Sequence, residues 1–278
     1  MNYRHAYHAG NFADVMKHAL LSRILDYLKR KEKPFRVIDT HAGIGLYDLE
    51  GDEAKRTGEA ANGIARLDEP FSTEIEQLLA PYRHVLAEVR RRFGPNIYPG
   101  SPALTRELLR PQDRGVFVEL HPEDYETLSS RFNAVTNTKV LNLDGWIALT
   151  ALIPPKEKRG LVLVDPPFEA TDELDRMVRE IAKAARKWRT GIYTAWYPVK
   201  ERAPADAAWE TLKAACDRPL LRAELMMQRP KDPAKLNGCG LFVINPPWVL
   251  AREAEMLLSA LVERLAGKNG SSRVEERE

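Results

Sequence analysis

The spacing of hydrophobic and polar positions changes several times along the chain, and each change predicts an element. From Asn11 to about Lys31, residues Val15, Met16, Ala19, Leu20 and Ile24 recur at helical spacing. Asn11 suits the N-cap of that helix, and Pro34 ends it. FRVID (35–39) then reads as a short buried strand, followed by the glycine-containing turn HAGIG. A polar, weakly patterned stretch covers about 48–70, and a helical segment covers about 72–93. Pro99-Gly100 closes this region, and Ser101-Pro102 has the order of a cap residue followed by a first-turn proline.

Beyond that point the alternation is regular. GVFVEL is a strand and 122–133 a helix; KVLNL is a strand and 145–152 a short helix. GLVLV is a strand and 171–188 a helix; GIYTAWY is a strand and 204–215 a helix opened by Pro204. LLRAELMM and GLFVIN are two final strands, and a helix follows at about 250–266. Alternation of this kind predicts an α/β fold: a mostly parallel, seven-stranded sheet with helices on both faces. The last two strands have no helix between them and predict an antiparallel addition. The stretch at 48–98 interrupts the first crossover and reads as a small inserted helical subdomain. The domain therefore spans 1–266, and the polar tail 267–278 is expected to be disordered.

Composition narrows the class. Hydrophobic residues make up 44% of 278 residues, enough for a sizeable core, and no apolar run is long enough to span a bilayer. The polar, His-rich N-terminus lacks the apolar centre of a secretion signal. Two cysteines, Cys216 and Cys239, exclude a disulfide framework or a cysteine-based zinc site. These features predict a cytoplasmic protein with no membrane partner. A formal net charge of +2 neither demands nor excludes nucleic acid. Three basic clusters (Arg90 to Arg92; Lys29, Arg30, Lys31 and Lys33; Lys183, Arg186, Lys187 and Arg189) read first as solvated helix faces. His5, His8, His18 and His41 lack the spacing of a metal-binding helix, so no metal is expected.

The chemistry gathers at strand ends, where open α/β sheets bind ligands. Asp39 ends the first strand, Glu119 the second and Asp165 the fourth; Asp144, followed by Gly145, lies just past the third. Carboxylates on one rim repel unless they bind something, and a nucleoside suits them: one acid accepts ribose hydroxyls, another an adenine amino group. DTHAGIG is not a phosphate loop, and neither G-x-x-x-x-G-K-[ST] nor G-x-G-x-x-G occurs. Adenosine without phosphate, attached to a positive sulfonium, describes S-adenosylmethionine. Taken singly, Glu119 and Asp144 read equally well as helix caps or surface acids.

Asp165-Pro166-Pro167-Phe168 follows the fourth strand. The Asp165 carboxylate and the Pro166 carbonyl can accept the two N–H groups of an adenine N6 amine, drawing its lone pair outward. Prolines hold both acceptors in place beforehand, and Phe168 offers a face on which an extruded base stacks. The near twin Asn245-Pro246-Pro247-Trp248 follows the last strand and reads as structural or substrate-facing, although Asn245 can also accept an N–H.

Together these segments resemble a Rossmann-like class I methyltransferase. More closely, YRHAYHAGNFADVMKH, DTHAGIGLY, RTGEA, YPGSP, ELHP, LVDPPFE, GIYTAWYP and VINPPW are similar to the RlmJ type of bacterial 23S rRNA adenine-N6 methyltransferase. The likeness runs from Tyr3 to about Ala266. It implies methylation of adenine N6 at one site (adenine 2030) in 23S rRNA not yet assembled into ribosomes, on a flipped-out base, by a monomer using S-adenosylmethionine. It assigns Asp165 as the catalytic acid and Lys17, His18, His41, Ser101, Glu119, Asp144, Gly145 and Asp165 as cofactor residues. Tyr3 is placed near the substrate RNA. Ser101, at a helix start, suits the carboxylate at the cofactor's methionine end, and Lys17 can pair with the same carboxylate. Two departures stand out: the general methyltransferase pattern prefers glycine at His41, and Phe168 replaces a frequent tyrosine. A DNA adenine methyltransferase and a non-catalytic RNA-binding protein on this fold are the alternatives.

Overall fold

A computed structural model describes residues 4–230, 232 and 235–278; Tyr3 lies outside them. Asn11 caps the first helix as its position predicts, with Oδ1 accepting the N–H groups of Ala13 and Asp14 at 2.9 and 3.0 Å. The helix, α1 (Phe12–Lys29), is buried on almost every face. β1 (Arg36–Asp39) follows.

The chain then leaves the sheet through β2 (Leu46–Asp48), α2 (Asp52–Thr57) and α3 (Thr73–Phe93), and returns through β3 (Ile97–Pro99). β2 and β3 pair antiparallel, Leu46 opposite Pro99, so departure and return are adjacent. α3 buries Ile75, Leu79, Tyr82, Val85, Leu86 and Val89 in the same core as α1. The segment thus shares the main core and has no separate one.

After α4 (Ser101–Leu108) come β4 (Arg114–Glu119), α5 (Pro122–Phe132), β5 (Thr138–Asn142) and α6 (Gly145–Ala151). Next are β6 (Gly160–Val164), α7 (Glu173–Lys187), β7 (Gly191–Val199) and α8 (Arg202–Ala215). β8 (Leu220–Met226), β9 (Gly238–Ile244), α9 (Leu250–Leu265) and β10 (Ser271–Arg277) complete the chain. Ser101 is the first helical residue of α4 and Gly100 occupies the cap position, so the expected cap role of Ser101 does not hold. Its hydroxyl is drawn away to a buried carboxylate.

The main sheet has eight strands, not seven, in the order β10-β8-β9-β7-β6-β1-β4-β5. β5, β4, β1, β6 and β7 run parallel. β9 inserts between β7 and β8, antiparallel to both. Helices α1, α3, α4, α5 and α9 contribute to the core on one face, and α6, α7 and α8 to that on the other.

The eighth strand corrects the expected disordered tail. SSRVEER is too polar to read as a strand, yet β8 is buried along its whole length and would otherwise end the sheet with an open edge. β10 pairs with it from Ser271–Met226 to Arg277–Leu220. Its charges are used locally. Arg273 bonds Asp206 at 2.9 Å, and Arg277 donates to the carbonyls of Lys213 and Cys216 at 2.6 Å.

The basic clusters are in part ion-paired. Arg91 meets Glu88 at 2.8 Å, Arg92 meets Glu107, and Lys183 meets Glu180 at 2.7 Å. Exposed pairs such as Arg91–Glu88 contribute little. Among the described residues, no helix is long and apolar enough to cross a membrane.

Candidate active site

The carboxyl ends of β1, β4 and β6, the start of α6 and one face of α1 enclose a cleft of about 260 Å³. Lys17, His18, His41, Ser101, Glu119, Asp144, Gly145, Asp165 and Pro166 all line it. Residues scattered over 150 positions therefore meet at one place. Phe168 is not part of this lining. It is half-buried, sits in the left-handed region at φ 50°, and meets Trp196 edge-on at 5.7 Å between ring centres. A non-glycine residue rarely adopts that conformation, and strain of this kind gathers at functional turns.

Asp165 does not stand alone. Lys17 Nζ donates to its Oδ2 at 2.6 Å and lies 2.9 Å from Asp14 Oδ1. Burial lowers the Lys17 ammonium, but the two carboxylates outweigh it and hold it well above the usual lysine value. Asp14 is fixed in turn by the Gly10 N–H and His5 Nε2, each at 2.9 Å. Burial raises Asp14, but its interactions with His5 and Lys17 keep it well below the usual range. Lys17 is thus held by two protein carboxylates, and its third N–H remains for another acceptor in the cleft. Its bond to Oδ2 fixes the plane of the Asp165 carboxylate and leaves Oδ1 for another donor.

Glu119 Oε2 accepts from the Gly43 N–H and Oε1 from the His121 N–H, both at 2.8 Å. Burial pushes it up, and the two backbone donors act against that. Each oxygen keeps acceptor capacity. Asp144 caps α6 through Oδ1, which accepts from Trp146 N at 2.7 Å and Ile147 N at 3.2 Å. It is therefore both a cap and a cleft residue. His41 Nδ1 lies 2.8 Å from Thr40 Oγ1, and burial lowers the imidazole to about 4, so the ring is neutral. Gly145 is required: a Cβ there would stand 2.4 Å from the Thr40 carbonyl oxygen and 2.7 Å from the His41 ring.

Asp39 departs from the expected rim. It is fully buried behind the cleft, where Ser101 Oγ donates to Oδ2 at 2.6 Å and the His41 N–H to Oδ1 at 3.3 Å. Burial pushes it up to about 7. An acid raised in the folded state keeps its proton while the unfolded chain loses it. Stability therefore falls as pH rises from about 4 to about 7, and stays lower above. Asp39→Asn is expected to raise the melting temperature at about pH 8 and to change it little at about pH 4. Scanning fluorimetry showing equal shifts at both would contradict this account.

The twin motif lies elsewhere. β9 runs against β7, with Ile244 opposite Tyr193, so Asn245 emerges at the amino-terminal edge of the parallel strands. Asp165 emerges at the other edge. Asn245 Nδ2 donates to the carbonyls of Gly191 at 2.7 Å and Arg189 at 3.0 Å, a structural clamp. Trp248 is 80% exposed there. Asn245→Ala is expected to cost about 1 kcal/mol of stability and to leave methyl transfer unchanged in a tritium-incorporation assay.

Sequence reasoning missed Asp14, Tyr98, Trp146 and Arg176. Arg176 lies over the Trp146 ring at 4.9 Å, and both line the cleft. Asp14 carried a signal: with Lys17 and His18 it falls at i, i+3 and i+4 in the apolar first half of the helix. Tyr98 lay in the YPGSP segment without a role of its own, and Arg176 carried no signal.

Comparison with known proteins identifies the family. Residues 32–277 match the family described as ribosomal RNA large subunit methyltransferase D, RlmJ. The chain is 39% identical over 275 residues to ribosomal RNA large subunit methyltransferase J of Haemophilus influenzae, covering 98% of this chain and 96% of that protein. It is 40% identical over 265 residues to the Escherichia coli K12 protein of the same name, covering 95% and 94%. A crystal structure from Legionella pneumophila superposes with a TM-score of 0.86 at 34% identity, over 96% of this chain and 98% of that one. The chain belongs to the RlmJ family of ribosomal RNA large subunit methyltransferases.

Proposed function

We propose that the chain transfers a methyl group from S-adenosylmethionine to N6 of one adenine in 23S rRNA, the adenine 2030 that the family resemblance implies. The carrying observation is that Asp165 and Pro166 share one cleft with Glu119, Asp144, His41 and Gly145. The cleft fits the methyl donor by its donor set. Glu119 and Asp144 offer acceptors for ribose hydroxyls and an adenine amine. The bare backbone at Gly145 admits close approach, and the buried His18 Nε2 has no hydrogen-bond partner among the described residues. When bound, S-adenosylmethionine supplies an electrophilic methyl group.

The chain's own contribution is positioning. Asp165 Oδ1 and the Pro166 carbonyl accept hydrogen bonds from the two N6 N–H groups, holding the amine with its lone pair towards the cleft; one of these protons leaves on methyl transfer. Lys17 keeps the Asp165 carboxylate from rotating. Phe168, outside the cofactor cleft and braced by Trp196, offers a stacking face to an extruded base. Tyr3 is the residue that the family resemblance assigns to the substrate RNA. The protein acts as a cytoplasmic monomer on free rRNA, where an unpaired base is cheapest to extrude.

Labelled methyl transfer to protein-free 23S rRNA, to assembled large subunits and to duplex DNA tests this. Incorporation into free rRNA as N6-methyladenine is expected. Incorporation into duplex DNA alone, or none alongside intact cofactor binding, would sink the proposal.

A further inference from the structure

Behind the cleft, three buried rings form one hydrogen-bonded chain. His18 Nδ1 lies 2.8 Å from Tyr98 Oη, and Tyr98 Oη lies 2.8 Å from Tyr82 Oη. The three residues are 1%, 1% and 0% exposed. The His18 and Tyr98 rings stack at 5.6 Å with an interplanar angle of 27°. At the far end, His18 Nε2 is buried without a hydrogen-bond partner among the described residues, although His18 lines the cleft. Asp14 Oδ1 is 3.9 Å from Nε2, beyond hydrogen-bond reach.

Counting protons decides which nitrogen carries the hydrogen. Burial lowers His18 to about 3, so the imidazole is neutral with one N–H. Burial raises both phenols, so each keeps its proton. If His18 Nδ1–H donates to Tyr98, then Tyr98 donates to Tyr82, and the Tyr82 hydroxyl is left buried with no acceptor. If Tyr82 donates to Tyr98 and Tyr98 to Nδ1, both hydroxyls are satisfied. The only free group is then the Nε2–H, on the residue that lines the cleft. Either arrangement leaves one buried donor unpaired, but the first also leaves the Nε2 lone pair without a donor, so the second leaves fewer unmet groups and is favoured.

We propose that Tyr98, backed by Tyr82, is a positioning residue that holds His18 as its Nε2–H tautomer, so that this N–H donates to the carboxylate of the methyl donor's amino-acid end. The inference rests on the cofactor assignment above. Acceptors at Glu119 and Asp144 claim the hydroxyl and amine groups of the nucleoside. The donors come from other elements: His18 on α1, and the start of α4, whose first turn lacks a side-chain cap and whose Gly100 and Ser101 line the same cleft. Donors of this kind select an anionic oxygen. Tyr82 belongs to α3 and Tyr98 to β3, so the inserted segment acquires a role in cofactor recognition.

Nitrogen-15 NMR of histidine-labelled free protein reads the tautomer directly. The wild type should show His18 protonated at Nε2, Tyr98→Phe a mixture with the Nδ1–H form, and Tyr82→Phe no change, because Tyr98 still has only His18 to donate to. Calorimetry supplies the second arm. S-adenosylhomocysteine carries the amino-acid end, whereas methylthioadenosine has the same nucleoside without it. Tyr98→Phe should weaken the first about tenfold and leave the second unchanged. An Nδ1–H tautomer in the wild type, equal weakening of both ligands, or weakening of neither would overturn the proposal. Failure of the wild type to bind either ligand would instead overturn the cofactor assignment, with the tautomer still judged by NMR.

Discussion

Asp165→Ala is expected to lower methyl transfer by at least about a thousandfold while S-adenosylhomocysteine binding changes only a few-fold. The carboxylate is one of two acceptors for the reacting amine. Without it, the N6 lone pair stays conjugated into the ring and its orientation is lost. Binding survives because Lys17 remains buried beside Asp14 at 2.9 Å, so no cation is orphaned. Glu119, Asp144 and Gly145, which line the rest of the cleft, are untouched. Asp165→Asn should be almost as inactive, although asparagine carries an acceptor. Lys17 is a donor 2.6 Å from Oδ2 and will claim the amide oxygen, turning the amide NH2 towards the substrate. Single-turnover transfer to 23S rRNA, with calorimetry in parallel, measures both. Near-wild-type transfer by Asp165→Ala would remove this residue from the mechanism.

Ending the chain at Ala266 is expected to lower the melting temperature by roughly 10 °C and to promote aggregation, by loss of about 3–5 kcal/mol. β10 covers the edge of β8 over seven paired positions, Ser271 to Arg277. Beneath it lies Arg222, with no exposed surface. Arg222 Nη2 meets Glu224 at 2.6 Å, and Nη1 meets Asp206 at 2.7 Å and Glu275 at 3.6 Å. Burial disfavours its charge, but Tyr197 and Glu224 help raise the guanidinium above its usual value. Removing β10 deletes Glu275 and the Arg273–Asp206 bond, and it bares an apolar edge open to pairing with another chain. Circular dichroism melts and light scattering of the truncated protein check this. A melting temperature within about 2 °C of the full chain would show that the strand is dispensable.

Much of the fold was legible because its signals are local. The 3.6 period of α1, the apolar run 160–164 and the Asn11 cap depend on neighbours in sequence. The exceptions share one cause. SSRVEER has no apolar period of its own and becomes a strand only because β8 presents an unpaired edge. Ser101 has the chemistry of a cap, but Asp39, 62 positions away, takes its hydroxyl. Local chemistry set what each side chain offers; a distant partner set where it was used.

The site divides in the same way. Acids at successive strand ends could be read along the chain, because strand ends are marked by where apolar runs stop. Their division of labour could not. Asp39 lies buried behind the cleft, Asp144 doubles as a cap, and only Asp165 is held by a lysine from α1. DPPF and NPPW look alike in one dimension. The reversal of β9 against β7 sends them to opposite edges of the sheet.

By itself, then, the amino-acid order determined the elements, the parallel core and the residue types available for methyl transfer, since periodicity, capping and strand endings act over a few residues. Tertiary structure alone decided which carboxylate meets Lys17, which nitrogen of His18 is left without a partner, and which proline pair borders the cleft. Those outcomes depend on strand direction and on contacts between positions far apart in the chain, which no short window of sequence contains.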